Sequence, residues 1–138
     1  MEIDLALMAD ASTVDAAGKL NILGVFDRIT ARHFPAPHER ISLVLRFTAG
    51  VDEAGEHRLA ISLKTPDGAE LIPPIEGMMH LGPGPGHLGG EIRFPHILNL
   101  NGIVFPAPGQ YSFDIRVDDE YITSLPLYLS QMGGGAMA

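Results

Sequence analysis

The chain has 138 residues, the length of one domain, and 46% of them are hydrophobic, enough to bury a core. It has no cysteine, which excludes disulfides, thiolate metal sites and a cysteine nucleophile. The net charge is −8 and the 9 Lys and Arg are scattered singly, which argues against a phosphate-backbone partner, since that needs clustered cations.

The first residues, MEIDLALMADAS, are acidic and lack the basic start and long apolar core of a signal peptide. No apolar run approaches the roughly 20 residues of a membrane span. The expected location is the cytoplasm. The first strand is read over Ile3–Ala9, with Ile3, Leu5 and Leu7 on one face. Ala11–Gly18 is small and polar, with room for a helical turn. Lys19–Thr30 is the second strand. It carries apolar residues on both parities, so it is either central or bent between two sheets. Gly24 in its middle marks a bulge or a close backbone approach.

Arg32–Glu39 reads as a loop, because its two prolines oppose both helix and ladder. Ile41–Ala49 and His57–Thr65 both alternate, and the acidic loop Gly50–Glu56 between them predicts a hairpin. Pro66–Gly68 is a tight turn. Glu70–Leu81 is an interrupted strand, which Pro73–Pro74 either keeps to a sheet edge or breaks by an excursion. Gly82–Gly90 is a flexible connection, and Glu91–Asn101 is a strand bent by Pro95.

The closing stretch Phe105–Leu129 is the clearest. Tyr111, Phe113, Ile115 and Val117 alternate with polar residues, and Asp118–Asp119 makes a two-residue turn. An unbroken register would turn Leu125, Leu127 and Leu129 to solvent, so a β-bulge is predicted at Thr123–Ser124. Ile122 and Leu125 should then both enter the core. The whole reads as an all-β antiparallel sandwich of about seven to eight strands, immunoglobulin-like or jelly-roll-like. The domain spans residues 1–130, and 131–138 form a flexible Gly-rich tail.

Several segments are family-like. They are Gly18–Asp27 with Phe34–His38, then Leu98–Gly102, Phe105–Phe113 and Ser124–Leu127. Together they resemble a bacterial family of small cytoplasmic proteins known only as a domain of unknown function. The likeness reaches nearly to Leu129. It implies a compact β-sandwich and supplies no catalytic or binding residue. Asp119 stands where that family is expected to carry a turn glycine. Pro108-Gly109-Gln110-Tyr111-Ser112-Phe113 is also similar to the tyrosine corner of immunoglobulin-like sandwiches, in which a Tyr hydroxyl meets backbone.

No catalytic signature is present. There is no GxSxG elbow, no HExxH, and no helix after the Gly-rich segment to hold phosphate. Six histidines invite a metal reading, with His33 and His38 flanking Phe34–Pro37 as the candidates. Solvated loop histidines are the plainer explanation. The acidic loops with Asp52, Glu53, Glu56, Asp118, Asp119 and Glu120 could gather oxygens for calcium, but no sequential calcium loop appears. Phe-Pro-Ala-Pro occurs twice, at Phe34–Pro37 and Phe105–Pro108. Both loops are expected at one end. There Phe34 and Phe105 either form a recognition patch or cap the core, and capping is the simpler role.

The expected function is a non-enzymatic interaction or assembly module, acting through loop ends or an exposed edge strand. The alternative is a small ligand- or metal-binding protein, or an enzyme, using the loop histidines. No cofactor is expected. The expected partner is another protein or a second copy of the chain, with no nucleic acid and no membrane.

Overall fold

The computed structural model describes residues 1–82 and 89–133. Nine strands are formed: β1 Glu2–Val14, β2 Leu20–Phe26, β3 Arg28–Ala31, β4 Ala36–Ala49, β5 Gly55–Lys64, β6 Ile75–Leu81, β7 Ile92–Phe105, β8 Gly109–Val117 and β9 Glu120–Gln131. They make two sheets, ordered β2-β1-β4-β7 and β3-β9-β8-β5-β6. Among the described residues, all pairs are antiparallel except β3 with β9. The fold is an all-β sandwich, as the alternation predicted.

The core lies between the sheets. Ile41, Leu43, Leu45 and Phe47 of β4 face Leu59, Ile61 and Leu63 of β5 and Tyr111, Phe113, Ile115 and Val117 of β8. These side chains are 5% exposed or less, each contributing roughly 1.5–3 kcal/mol of burial for the larger aliphatics and aromatics.

Several expectations are corrected. The predicted second strand is two strands, because the chain leaves the first sheet at Asp27 and enters the second. Tyr128 N–H donates to the Asp27 carbonyl at that crossing. A bend between sheets explains why both parities are apolar. The first strand does not stop at Ala9 but runs to Val14 and turns at Asp15–Gly18. The Arg32–Glu39 loop is shorter than expected, since β4 begins at Ala36 and Pro37 lies opposite Val104. Pro37 costs no ladder bond on its other side, because β1 has left β4 beyond the pair Ala9–Ser42.

Ile41–Ala49 and His57–Thr65 do not form a hairpin. β4 is already flanked by β1 and β7, so a short 3-10 turn at Val51–Glu53 carries the chain to the opposite sheet. Alternation fixes which side chains face inward, not which strand lies alongside. The Pro66–Gly68 turn stands: Gly68 N–H donates to the Thr65 carbonyl, and Gly68 has φ +87°. β6 begins at Ile75, after Pro73–Pro74 rather than across them; β6 and β7 are both edge strands, and Pro95 lies within β7 opposite Arg46. The Gly82–Gly90 connection lies largely outside the described residues. So does the tail beyond Gly133, and Gln131, the first residue of that tail, belongs to β9.

The closing hairpin turns at Asp118–Asp119, with φ of 52° and 68°, the left-handed pair that matches strand twist. Phe113 lies opposite Leu125 and Tyr111 opposite Leu127, the pairing the bulge was invoked to produce. The bulge itself sits earlier than expected. Ile115 faces Thr123 and Arg116 faces Tyr121, so Ile122 is the extra residue. The polar face explains the shift. Ser124 donates to Asp114 Oδ1 at 2.7 Å and accepts from the Tyr121 hydroxyl at 2.9 Å, which holds Ser124 outward. Ile122 and Leu125 both pack against the core.

Candidate functional site

The two Phe-Pro-Ala-Pro segments lie side by side, with Ala36 opposite Phe105. Phe105 is fully buried and meets Tyr111 edge-on, ring centroids 5.1 Å apart. The Tyr111 hydroxyl donates to the Ala107 carbonyl at 2.7 Å. Phe34 is half-buried against the core. Both rings are engaged in packing, and Phe105 has no surface for a partner. His33 is exposed in the loop. His38 is half-buried in β4 with its ring 5.7 Å from that of Phe26. Among the described residues, no three His, Asp or Glu side chains gather as a metal site.

The acidic loops meet at the opposite end, where the Glu53, Asp118 and Asp119 carboxylates are engaged by protein groups. His57 Nδ1 lies 2.5 Å from Asp118 Oδ2, and Nε2 lies 2.6 Å from the Glu53 carbonyl. Both partners accept, an arrangement that favours the doubly protonated imidazole. The Asp118 carboxylate and the Glu53 carbonyl raise the His57 pKa above its ordinary value. Asp118 is lowered by the Arg58 N–H and by His57. Arg58 pairs with Asp119 at 2.9 Å and Glu76 at 3.3 Å. Glu53 accepts from the Met1 ammonium at 2.7 Å. This end ties β5, the 3-10 turn and the β8–β9 turn together.

The third region is the β1–β2 hairpin. Its ladder runs from Met8–Phe26 to Val14–Leu20 but skips Asp10 and Gly24. Gly24 has φ +73°, and a Cβ there would overlap the Asp10 carboxylate. At this kink the hairpin folds back over the outward face of the first sheet. Ser12 and Ser42 hydroxyls are hydrogen-bonded, and Ser42 and Val44 are 0% exposed although they point away from the core. The hairpin leaves its own outward side bare: Leu23 is 72% exposed and Val25 62%. β2 is also the end strand of its sheet. Sequence reasoning put both on one parity of the strand but singled out neither as an exposed surface. The available signal was Gly24 inside a strand apolar on both parities.

The chain belongs to a family of unknown function, DUF6941, whose model matches residues 4–130. No curated protein matches it. Among solved structures it is similar to the Pseudomonas fluorescens alkylpurine DNA glycosylase AlkC bound to DNA containing an abasic site analog. That likeness has a TM-score of 0.40 at 15% identity, and covers 94% of this chain and 30% of the glycosylase. The matched protein is held on DNA, and the expected exclusion of nucleic acid, which rested on net charge, is withdrawn. Net charge is a whole-chain sum and does not describe a local surface. A likeness of this size carries no argument about what this chain binds. No helix among the described residues is long and apolar enough to cross a membrane.

Proposed function

We propose that this protein is a non-enzymatic interaction or assembly module that takes an extended, uncharged strand of another sheet along β2. The observation behind this reading is the contrast among the outer strands. β7 carries Arg93 and Pro95. β6 follows Pro73–Pro74 and carries Glu76 and His80. β3 has four residues, one of them Arg28. Charge, proline and shortness are the usual means of blocking unwanted strand pairing. β2, Leu-Asn-Ile-Leu-Gly-Val-Phe, has none of the three; its one interruption is the Gly24 kink.

A strand added there gains backbone hydrogen bonds along the free edge and covers Leu23 and Val25. An apolar, uncharged strand suits it, since β2 offers no charge to pair. A second copy's β2 meets that description, so the mass of the purified chain is a readout. Size-exclusion chromatography with light scattering over a concentration series should show association, lost in Leu23→Lys and in Val25→Lys. A synthetic peptide of the β2 sequence should compete. A chain that stays monomeric at every concentration and ignores the peptide overturns the reading, as does association unchanged in both variants.

A further inference from the structure

The folded-back hairpin does not lie flush on the sheet beneath it. Between them is a hollow of about 480 Å³, inside the roughly 300–1,000 Å³ range of small-molecule sites. Leu20 and Ile22 of β2 wall it on the hairpin side, and Leu5 of β1 and Pro95 of β7 on the sheet side. Lys19, Arg46 and Arg93 line it as well. Three of the 9 Lys and Arg thus collect around one apolar hollow in a chain of net charge −8.

That charge is only partly neutralised. Asp4 is the carboxylate paired with the arginines among the described residues, 2.8 Å from Arg46 Nε and 3.8 Å from Arg93 Nε. Lys19 has no ion pair among the described residues. Asp15, on the same turn, accepts from the backbone N–H groups of Ala17 and Lys19, each at 2.9 Å, and from the Asn21 amide at 3.4 Å. Asp4 also shows that these guanidinium groups accommodate a carboxylate, and Arg93 is held at a distance that leaves its other N–H groups to a second one.

We infer that this hollow binds a small amphipathic carboxylate, with its apolar chain on Leu5, Leu20, Ile22 and Pro95 and its head group between Lys19 and Arg93. An inorganic anion would leave the apolar walls wet, and a neutral hydrocarbon would leave the cations unmatched. The site differs from the β2 edge. Ile22 faces the sheet and Leu23 faces away, so successive residues of one strand serve the two surfaces.

Decanoate, kept below its micelle concentration, is the probe, titrated into the 15N-labelled full chain. Saturable shifts are expected at the amides of Leu5, Lys19, Leu20 and Ile22. Acetate should produce none, and decanol should bind about tenfold or more weaker, since it keeps the chain and loses the charge. Lys19→Glu combined with Arg93→Glu should weaken decanoate about tenfold or more with a dispersed spectrum retained. Lys19→Gln alone, on an exposed turn, should weaken it by a smaller factor and guards against a misfolded double variant. Leu23→Lys should leave decanoate binding intact, which separates this site from strand addition. Absence of saturation, shifts centred elsewhere, decanol binding as well as decanoate, or unchanged affinity in the charge variants overturns the assignment.

Discussion

The chain contains two hairpins of similar apolar content and opposite fate. β8–β9 sends Tyr111, Phe113, Ile115, Val117, Leu127 and Leu129 into the core, all 4% exposed or less. β1–β2 leaves Val14 42%, Leu23 72% and Val25 62% exposed. The first hairpin is internal to its sheet and faces the other one. The second ends its sheet and lies across the wrong side of it. Apolar residues therefore do different work according to where the ladder places them: in one hairpin they hold the fold, and in the other they remain available to something else.

The sharpest way to test that contrast is truncation. Phe113→Ala should cost about 3–5 kcal/mol in urea unfolding, because the ring is fully buried and its neighbours cannot collapse into the space. Gly24→Ala should cost about 1 kcal/mol or more, through its positive φ and the clash with Asp10. Hydrogen exchange would show this loss concentrated in Ala11–Leu23, with the β8 amides unchanged apart from the global shift.

A pH series sharpens the comparison from the other side. The His57 pKa is raised in the folded state, so its stabilisation is complete below the ordinary imidazole value and fades as pH rises through the raised one. Asp118 is lowered, so its share is lost only as pH falls through the carboxylate range. Thermal unfolding should show His57→Gln falling furthest below the parent protein between those limits and converging on it in alkali. The smallest expected effect is Leu23→Ala, within about 0.5 kcal/mol of the parent as a monomer, because the side chain is already wet. A larger loss would mean that the outward side of β2 is structural after all.

These two hairpins also mark what the sequence disclosed. The β8–β9 hairpin was legible in detail: Pro108 and Gly109, strict alternation, and Asp118–Asp119 are all local signals, and the need for a bulge followed from the phase of three leucines. Its location was missed because the Ser124–Asp114 bond that sets it is a cross-strand contact. The paired kink at Asp10 and Gly24 was half legible. Gly24 announced a bulge or a close backbone approach, but that the Asp10 side chain is what crowds it, and that the hairpin then doubles back, depends on pairing. The same limit produced the mistaken β4–β5 hairpin. The hollow beneath the β1–β2 hairpin was invisible for a further reason: Leu5, Lys19, Arg46 and Arg93 share no local pattern and meet only in space.

The parallel pair of β3 and β9 has a kinetic consequence. β3 joins β9 across a sequence separation of about 100 residues, marked by the Thr30–Ser130 hydroxyl contact. Closing so long a loop gains little until the rest of the second sheet exists to receive it, because loop entropy must be overcome before the contact contributes. β3 should therefore dock after the transition state, its four residues sealing a sandwich already assembled. In that order, Ile29→Ala would accelerate unfolding while leaving the refolding limb of the chevron nearly unmoved. β9, the last strand among the described residues, would then be locked in place by one of the first.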